Sequence, residues 1–360
     1  MNYPCLKPYV GWYCGAQFSK DGVYSPNLIF SRKQAIEYFQ KHYGSSLVHS
    51  LMQLNETTID CGRCLSCRLK KRRDMTTRLN NELSMFGDDC CFITLTYDDE
   101  HIPTTCIRSI KDADKMIERG STSLPVETLL PSDVQKFIKR LRRHLEYQPL
   151  TDKYKKGRDH VKNSIRYFAV GEYGGKTARP HYHILIFGWK PSDMEFFSYR
   201  NKNVVYRSKQ IEKLWKYGFS TVQPCGLGVA RYVSRYVTKK FVNNSKSAEP
   251  FLDSYFPEFT LQSVRHGGIG AIWFDKHIDE VLSRGFVSFR CGLKFIKAPI
   301  PRYYINRLRR KNLELWLELR DERMQFIHRK GKQSFDVDEL LSAMAKNEKD
   351  IYNSMQGDLF

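Results

Sequence analysis

The amino-acid sequence contains no apolar run that approaches the roughly 20 residues a helix needs to span a bilayer. Residues 1–12 lack the long apolar core of a secretory signal. There is no fixed-period repeat, and no segment matches the complete Walker-type phosphate loop, in which spaced glycines precede Lys and Ser or Thr. These absences argue against a membrane protein, a secreted protein, a repeat protein and a P-loop motor, and we expect a cytoplasmic location.

Acidic residues are scarce, because 39 Asp and Glu stand against 59 Lys and Arg and the net charge is +20. Such a field favours polyanions, and nucleic acid is the expected partner because neutralised phosphates release counterions. Membranes and ribosomes also attract basic proteins, so the charge alone does not select DNA. With 360 residues, of which 41% are hydrophobic, the chain can form one large domain or two modest ones.

Hydrophobic periodicity predicts an α+β fold with a central, mainly antiparallel sheet flanked by helices. From residue 90 onward the predicted order is strand, helix, strand, strand, helix, strand, helix. The predicted strands are 90–97, 166–172, 181–187 and 219–223, and the predicted helices are 65–86, 132–145, a segment around 211–215, 228–241 and a short one near 337–346. Residues 1–60 show no clear period, and 104–130 look like a long loop or insertion.

His181 and His183 are separated by one residue on a predicted strand, so both side chains point to the same face. Glu172 ends the preceding strand, and a hairpin would bring it beside both histidines. Two imidazoles and one carboxylate suit a divalent ion such as Mg²⁺ or Mn²⁺. The alternative is two unrelated, partly buried histidines and a solvated carboxylate.

Tyr232 and Tyr236 are four residues apart on a predicted helix and therefore share one side of it. A phenolate at this position could attack a phosphodiester and leave a 5′-phosphotyrosine link, with a metal ion polarising the phosphate. Lys239 and Lys240 follow within a turn and could steady the phosphate or the phenolate. The alternative is a stripe of core tyrosines followed by a solvated basic face.

Three segments in this order resemble the motifs of HUH endonucleases: Phe92 to Tyr97, Arg179 to Phe187 and Arg231 to Lys240. The two tyrosines resemble those of the replication initiation proteins of microviruses, which are small circular single-stranded DNA phages. Further similarity to the gokushovirus-type proteins lies in segments 61–67, 267–270 and 299–304. The resemblance covers most of residues 61–305, and the three motifs together are specific where each alone is not.

The resemblance implies a HUH nuclease core that nicks origin single-stranded DNA and starts rolling-circle replication. His181, His183 and Glu172 would hold the metal, and Tyr232 and Tyr236 would be alternating nucleophiles. The nick would leave a 3′-OH primer, and a second transesterification would later close the displaced strand into a circle. Thr94, Thr96 and Tyr97 match the first motif, which is thought to line the DNA path. Host helicase and polymerase in a bacterial cytoplasm would complete the reaction.

The chain is expected to comprise three consecutive regions. Residues 1–89 carry a cysteine cluster and a basic helix, residues 90–245 form the nuclease core, and residues 246–360 form an accessory region with a charged tail. The sequence does not indicate an oligomeric state.

Cys61, Cys64 and Cys67 place three thiols within seven residues, and Cys5 or Cys14 could supply a fourth ligand for a structural Zn²⁺. The ten cysteines are unevenly spaced, which is unlike a secreted disulfide scaffold. The alternative is a set of reduced structural cysteines at a helix N-terminus.

Two basic helix faces are candidate contacts for origin DNA, although a charge run is usually a solvated face. They contain Arg72, Arg73, Lys139, Arg140 and Arg143.

Two rival functions remain at this stage. A HUH transposase or conjugative relaxase would share the chemistry, but relaxases often place the tyrosine before the histidines. A basic DNA-binding protein without catalysis would use the histidines and tyrosines as core residues.

Overall fold

The structure is a computed structural model, and it describes most of the chain. The described residues are 5–18, 24–105, 126–146, 165–174, 177–200, 203–225, 227–234, 257–265, 267–291 and 294–320. They divide into two compact units, one formed by the residues up to Asp74 together with 300–320, and the other by Met75–Pro299.

The described elements are numbered here in chain order. The strands are β1 (Tyr9–Phe18), β2 (Tyr24–Ile29), β3 (Glu56–Ile59), β4 (Cys90–Tyr97), β5 (Thr104–Thr105), β6 (Val126–Glu127), β7 (Arg166–Tyr173), β8 (Pro180–Phe187), β9 (Glu195–Arg200), β10 (Asn203–Arg207), β11 (Gly218–Pro224), β12 (Phe259–Gln262), β13 (Phe286–Cys291) and β14 (Lys294–Pro299). The helices are α1 (Arg32–Tyr43), α2 (Val48–Leu54), α3 (Leu65–Phe86), α4 (Pro131–Glu146), α5 (Lys209–Leu214), α6 (Leu227–Ser234), α7 (Ala271–Lys276), α8 (Ile278–Arg284) and α9 (Arg302–Lys311). Residues 313–320 are helical as well.

The first unit is built on a three-stranded antiparallel sheet in the order β2-β1-β3. Ala35 and Phe39 of α1 pack with Trp12, Cys14 and Met52 to form its small core. The start of α9 joins this unit, because the backbone N–H of Arg302 donates to the Asp74 carboxylate over 3.0 Å.

The second unit contains a seven-stranded sheet in the order β12-β7-β8-β4-β11-β10-β9. Each neighbouring pair is antiparallel. The central strands β4 and β8 are rich in β-branched and aromatic residues and are buried along most of their length. Burial of this kind requires cover on both faces of the sheet.

Side chains alternate along the central strands and separate onto two faces. One face, called the α4 face, packs against α4 and α5. Its buried residues include Ile93, Leu95, Tyr182, Ile184, Val134, Phe137, Leu141 and Ile211. The other face, called the α6 face, packs against α3 and α6. Its buried residues include Phe92, Val170, Leu185, Leu79, Leu83, Ala230 and Val233.

The predicted α+β class with a mainly antiparallel sheet flanked by helices is confirmed. From residue 90 onward the predicted elements form in the predicted order, as β4, α4, β7, β8, α5, β11 and α6. The β9–β10 hairpin, the β13–β14 hairpin and the elements before residue 60 were not predicted. The predicted helix near 337–346, and the part of 228–241 after Ser234, lie outside the described residues.

The observed division differs from the three consecutive regions predicted. The first boundary falls at Asp74, inside α3, and not at residue 89. Strand β12 pairs with β7 and joins the core sheet, although it lies in the region 246–360 that was expected to be accessory. None of the helices in the described part of the chain combines the length and apolar character that crossing a bilayer would require.

Candidate active site

The β7–β8 hairpin brings Glu172, His181 and His183 together. In its register Glu172 lies directly opposite His181, and His183 is two residues further along the same face. The Nε2 atoms of His181 and His183 each lie 2.9 Å from Oε1 of Glu172. The three candidate ligand atoms are within 4.8 Å of one another, so the predicted grouping forms.

The outer ring nitrogens of both histidines are already engaged. Nδ1 of His181 lies 3.1 Å from the backbone carbonyl oxygen of Arg179, which only accepts, so this nitrogen donates. Nδ1 of His183 lies 3.1 Å from Oγ1 of Thr94. In a neutral His181 the Nε2 lone pair therefore faces the Glu172 carboxylate, an unfavourable arrangement that a cation between them would relieve. The donor set and its supporting hydrogen bonds fit a divalent metal ion.

Burial lowers the pKa of His183, and its hydrogen bond to Glu172 opposes that shift. The positive charges of His181 and Arg200 lower it further. The ring of Phe92 stacks on His183 with centroids 5.3 Å apart, which fixes the plane of the imidazole. A neutral imidazole held in one orientation is the form that binds a metal.

The group lies on the α6 face of the sheet. Thr96 of β4 is paired with His181, and Thr94 is paired with His183, so both threonines border the histidines. The side chain of His183 is 6% exposed and that of His181 is 18% exposed. The open end of the site is therefore on the His181 side.

Helix α6 packs on the same face. Ala230 and Val233 are buried in the cluster that contains Val170 of β7. Oγ of Ser234 lies 2.6 Å from Oγ1 of Thr76, which ties the described end of α6 to α3.

Tyr232 belongs to α6. Tyr236, Lys239 and Lys240 lie outside the described residues. The helix that bears Tyr232 thus shares a sheet face with the candidate metal ligands.

The expectation that Tyr97 lines a DNA path is wrong. Its side chain is 1% exposed and points to the α4 face, because it is one residue from Thr96 on a strand. The phenol donates to the Asp133 carboxylate over 2.7 Å and lies 2.7 Å from the Tyr182 hydroxyl. Tyr97 is a core residue, and of the three predicted positions only Thr94 and Thr96 border the site.

The basic residues of α4 are displaced from the candidate metal ligands, because α4 packs on the opposite face of the sheet. Nε of Arg140 donates to the Leu214 carbonyl over 2.8 Å, and its guanidinium lies over the Tyr217 ring. Lys139 and Arg143 are exposed on the same helix. The structure therefore does not bring these three residues to the site, and their contact with origin DNA elsewhere stays a prediction. Arg72 and Arg73 are half-buried in the first turns of α3.

A buried ion pair on the α6 face was missed by sequence reasoning. Arg166 of β7 is paired with Glu82 of α3, and both side chains are at most 5% exposed. Arg166 also donates to the carbonyls of Arg265, Gly267 and Gly268, and Glu82 accepts from the Gly270 N–H over 2.6 Å. The pair therefore fixes the glycine-rich segment 267–270, and a buried charge pair with no local pattern leaves no signal in the sequence.

Four thiols converge in the first unit. Cys5, Cys61, Cys64 and Cys67 place their sulfurs within 4.8 Å of one another, and the Sγ atoms of Cys5 and Cys64 are 3.8 Å apart. Four thiolates held tetrahedrally by Zn²⁺ at about 2.3 Å lie about 3.8 Å from each other. The cluster fits a tetrahedral zinc ion.

The backbone of the Cys61–Cys64 turn donates to sulfur. The N–H groups of Arg63 and Cys64 point at Sγ of Cys61 over 3.4 and 3.3 Å. Burial raises the pKa of Cys61, but these donors outweigh it and lower the pKa to about 6. Burial raises the pKa of Cys67 and of Cys5.

Of the two thiols considered as a fourth ligand, only Cys5 joins the cluster. Cys14 is 2% exposed and packs in the small core beside Trp12 and Ala35. Its place in β1 directs it away from the turn, so the proposal of Cys14 as a ligand is wrong.

Comparison with known proteins gives a consistent set of relatives. The family model of the replication-associated protein ORF2 matches residues 90–241. Replication-associated protein VP4 of Bdellovibrio phage phiMH2K is 31% identical over 268 residues, which cover 74% of this chain and 72% of that protein. Replication-associated protein ORF4 of Chlamydia phage 1 is 32% identical over 70% of this chain and 54% of that protein. Replication-associated protein ORF2 of Spiroplasma virus 4 is 28% identical over 71% of this chain and 68% of that protein. No solved structure matches the chain.

Proposed function

The chain belongs to the replication-associated proteins of small bacteriophages, and we propose from this premise that it nicks single-stranded origin DNA to start rolling-circle replication. The reaction is a metal-dependent transesterification with Tyr232 and Tyr236 as nucleophiles. It takes place in the cytoplasm of the bacterial host, where helicase and polymerase of the host unwind and extend the DNA.

One observation carries this proposal. The Nε2 atoms of His181 and His183 and Oε1 of Glu172 converge on the sheet face against which α6, the helix of Tyr232, is packed. A metal-ligand group and a potential nucleophile on one face are what phosphodiester cleavage by a HUH endonuclease needs.

A divalent cation held by His181, His183 and Glu172, Mg²⁺ or Mn²⁺, would polarise the scissile phosphate and offset the charge that develops on it. The deprotonated phenol of Tyr232 attacks the phosphorus, so that an oxygen–phosphorus bond forms and the bond to the 3′ oxygen breaks. The departing 3′ oxygen takes up a proton and becomes the primer, while the 5′ end stays on the tyrosine. Lys239 and Lys240 steady the phosphate or the phenolate.

Tyr236 performs the second cleavage, after one circuit of synthesis. A second nucleophile is necessary because the first remains bound to the 5′ end. The new 3′-OH then attacks the phosphotyrosine, which releases the tyrosine and closes the displaced strand into a circle. Thr94 and Thr96 line the DNA beside the metal ligands, and Arg72 and Arg73 are further candidate DNA contacts.

The cluster of Cys5, Cys61, Cys64 and Cys67 holds a second metal, a structural Zn²⁺. The support is the convergence of four sulfurs at a spacing that matches tetrahedral coordination. A closed set of four thiolates has no open position for substrate, so this ion stabilises the fold and takes no part in the chemistry.

The test is incubation of the purified full chain with labelled single-stranded origin DNA and Mn²⁺, followed by denaturing gel electrophoresis. We expect a covalent protein–DNA adduct that the Tyr232→Phe/Tyr236→Phe double variant does not form. Each single variant should retain part of the cleavage, since either phenol can attack. The proposal is overturned if the double variant forms as much adduct as the unsubstituted chain.

A further inference from the structure

A row of four side chains crosses the α6 face at the open end of the candidate metal site. Glu172 on β7 is paired with His181 on β8, His181 with Thr96 on β4, and Thr96 with Phe219 on β11. Paired residues of neighbouring strands point to the same face of a sheet. Phe219 therefore stands on the same face as the metal ligands, two strands from His181.

The ring of Phe219 is 66% exposed, although its strand is paired within the sheet. Its neighbours Ser220 and Val222 alternate with it and are buried. The helices that cover the α6 face pack further along the strands, over Phe92, Val170 and Leu185. Phe219 thus lies on the uncovered part of the face.

The backbone on either side of Phe219 is closely held. Gly218 has φ +140°, and a Cβ added to it would lie 2.2 Å from the Asp98 nitrogen and 2.6 Å from the Thr96 carbonyl oxygen. Only glycine permits β11 to begin so close to β4. The Trp215 indole N–H donates to the same Thr96 carbonyl over 3.1 Å. Phe219 is consequently presented by a fixed frame and not by a loop.

Positive charge borders the same face. Arg200, at the end of β9, is exposed and pairs with Asn203 of β10. Tyr206 pairs with Val222 and so points to the α4 face. Asn203 is an odd number of residues from Tyr206, which places Asn203 and its partner Arg200 on the α6 face. An exposed ring next to a cation on a protein of charge +20 is complementary to the bases and phosphates of a nucleic acid.

We propose that Phe219 is a stacking platform for a base of the single-stranded DNA, next to the phosphate held at Glu172, His181 and His183. The inference rests on the proposed function and adds to it a residue that positions the strand. Two strand spacings of about 4.8 Å separate Phe219 from His181, about 10 Å in all. A nucleotide close to the scissile phosphate can span that distance. Since every base has a π-face, the platform holds DNA without reading its sequence.

The experiment measures affinity by fluorescence anisotropy on the full chain, with a labelled oligothymidylate of about 16 nucleotides, the upper site size of such platforms. Phe219→Ala should weaken binding by about 5-fold to about 150-fold, the range for loss of one stacked base. Phe219→Trp, which retains a π-face, should bind like the unsubstituted chain. Tyr199→Ala is the matched control, because Tyr199 is 72% exposed on the same sheet but pairs with Val204 and points to the other face.

A second strand of equal length, made of abasic nucleotides, separates stacking from a structural effect. On that strand Phe219→Ala and the unsubstituted chain should bind equally, because there is no base to stack. The inference is overturned if Phe219→Ala binds oligothymidylate as tightly as Tyr199→Ala does, or if it loses affinity equally on both strands. It is also overturned if the variant changes the mass of the protein in light scattering and not its DNA affinity, which would make the ring a protein contact.

The outcomes for Phe219 are distinguishable from failure of the nuclease proposal. If the unsubstituted chain forms the adduct with origin DNA and Phe219→Ala binds normally, only the stacking platform fails. If the unsubstituted chain binds oligothymidylate through Phe219 but forms no adduct, the platform stands and the nuclease proposal fails.

Discussion

The hydroxyl of Thr94 lies 3.1 Å from Nδ1 of His183, and this contact orients the imidazole whose other nitrogen faces Glu172. Hydrogen bonds to the outer nitrogen of a ligating histidine typically change metal affinity or activity by 10-fold to 100-fold. Thr94→Val keeps the shape of the side chain and removes this partner. We expect Mn²⁺ affinity, measured by calorimetry, and the nicking rate to fall by about 10-fold to 100-fold. Thr221→Val is the control, because Thr221 is paired with Thr94 on the neighbouring strand. Equal affinities for Mn²⁺ in the two variants would show that Thr94 does not orient the site.

Glu82 and Arg166 are a buried charge pair, so each is stable only in the presence of the other. Glu82→Gln leaves the Arg166 guanidinium buried without its counterion. We expect the free energy of unfolding to fall by about 3–5 kcal/mol, as for other broken buried pairs. The measurement is chemical denaturation followed by circular dichroism, with Glu280→Gln as the control because its pair with Arg284 is about half exposed. If both variants lose the same stability, the buried pair is not what fixes segment 267–270.

The elements that position the candidate site were predictable because their patterns are local. A single residue between His181 and His183 fixes their common face, and the short distance from Glu172 fixes the hairpin. The β9–β10 hairpin escaped prediction because β9 is an edge strand with most of its side chains exposed, so burial imposes no alternation on it. The fourth thiol could not be assigned, because Cys5 and Cys14 differ only in how β1 and the residues before it fold. Tyr97 was misassigned because adjacent residues on a strand point to opposite faces, and the motif alone does not say which face is the site.

The turn from Cys61 to Cys64 that leads into α3 is expected to depend on Zn²⁺ and on Cys5. Cys64→Ser should abolish the roughly one zinc ion per chain that elemental analysis detects in the purified protein. Structural zinc contributes to folding directly, so the variant should also melt at a lower temperature. Cys14→Ser is the matched control and should keep its zinc, because Cys14 lies in the small core and not in the cluster. Zinc content that is equal in the two variants would contradict the assignment of the cluster.

At the scale of the whole molecule, DNA binding and DNA cleavage have different physical origins. Binding comes from charge distributed over a chain with a net charge of +20, and it follows counterion release. Cleavage depends on one group of ligand atoms within 4.8 Å of one another. A substitution in that group should therefore remove cleavage without removing binding.

His183→Ala tests this separation most directly. Adduct formation with origin DNA should be lost, because one of the three metal ligands is gone, and His183→Gln should behave in the same way. The affinity for single-stranded DNA and the slope of its logarithm against the logarithm of salt concentration should stay unchanged, since each phosphate contact contributes about −0.7 to that slope and none is removed. The measurements are gel analysis of the adduct and anisotropy titrations at several salt concentrations, with the melting temperature as the check on folding. Loss of adduct and of DNA binding together, with a lowered melting temperature, would mean that His183 supports the fold and that the metal centre is not its role.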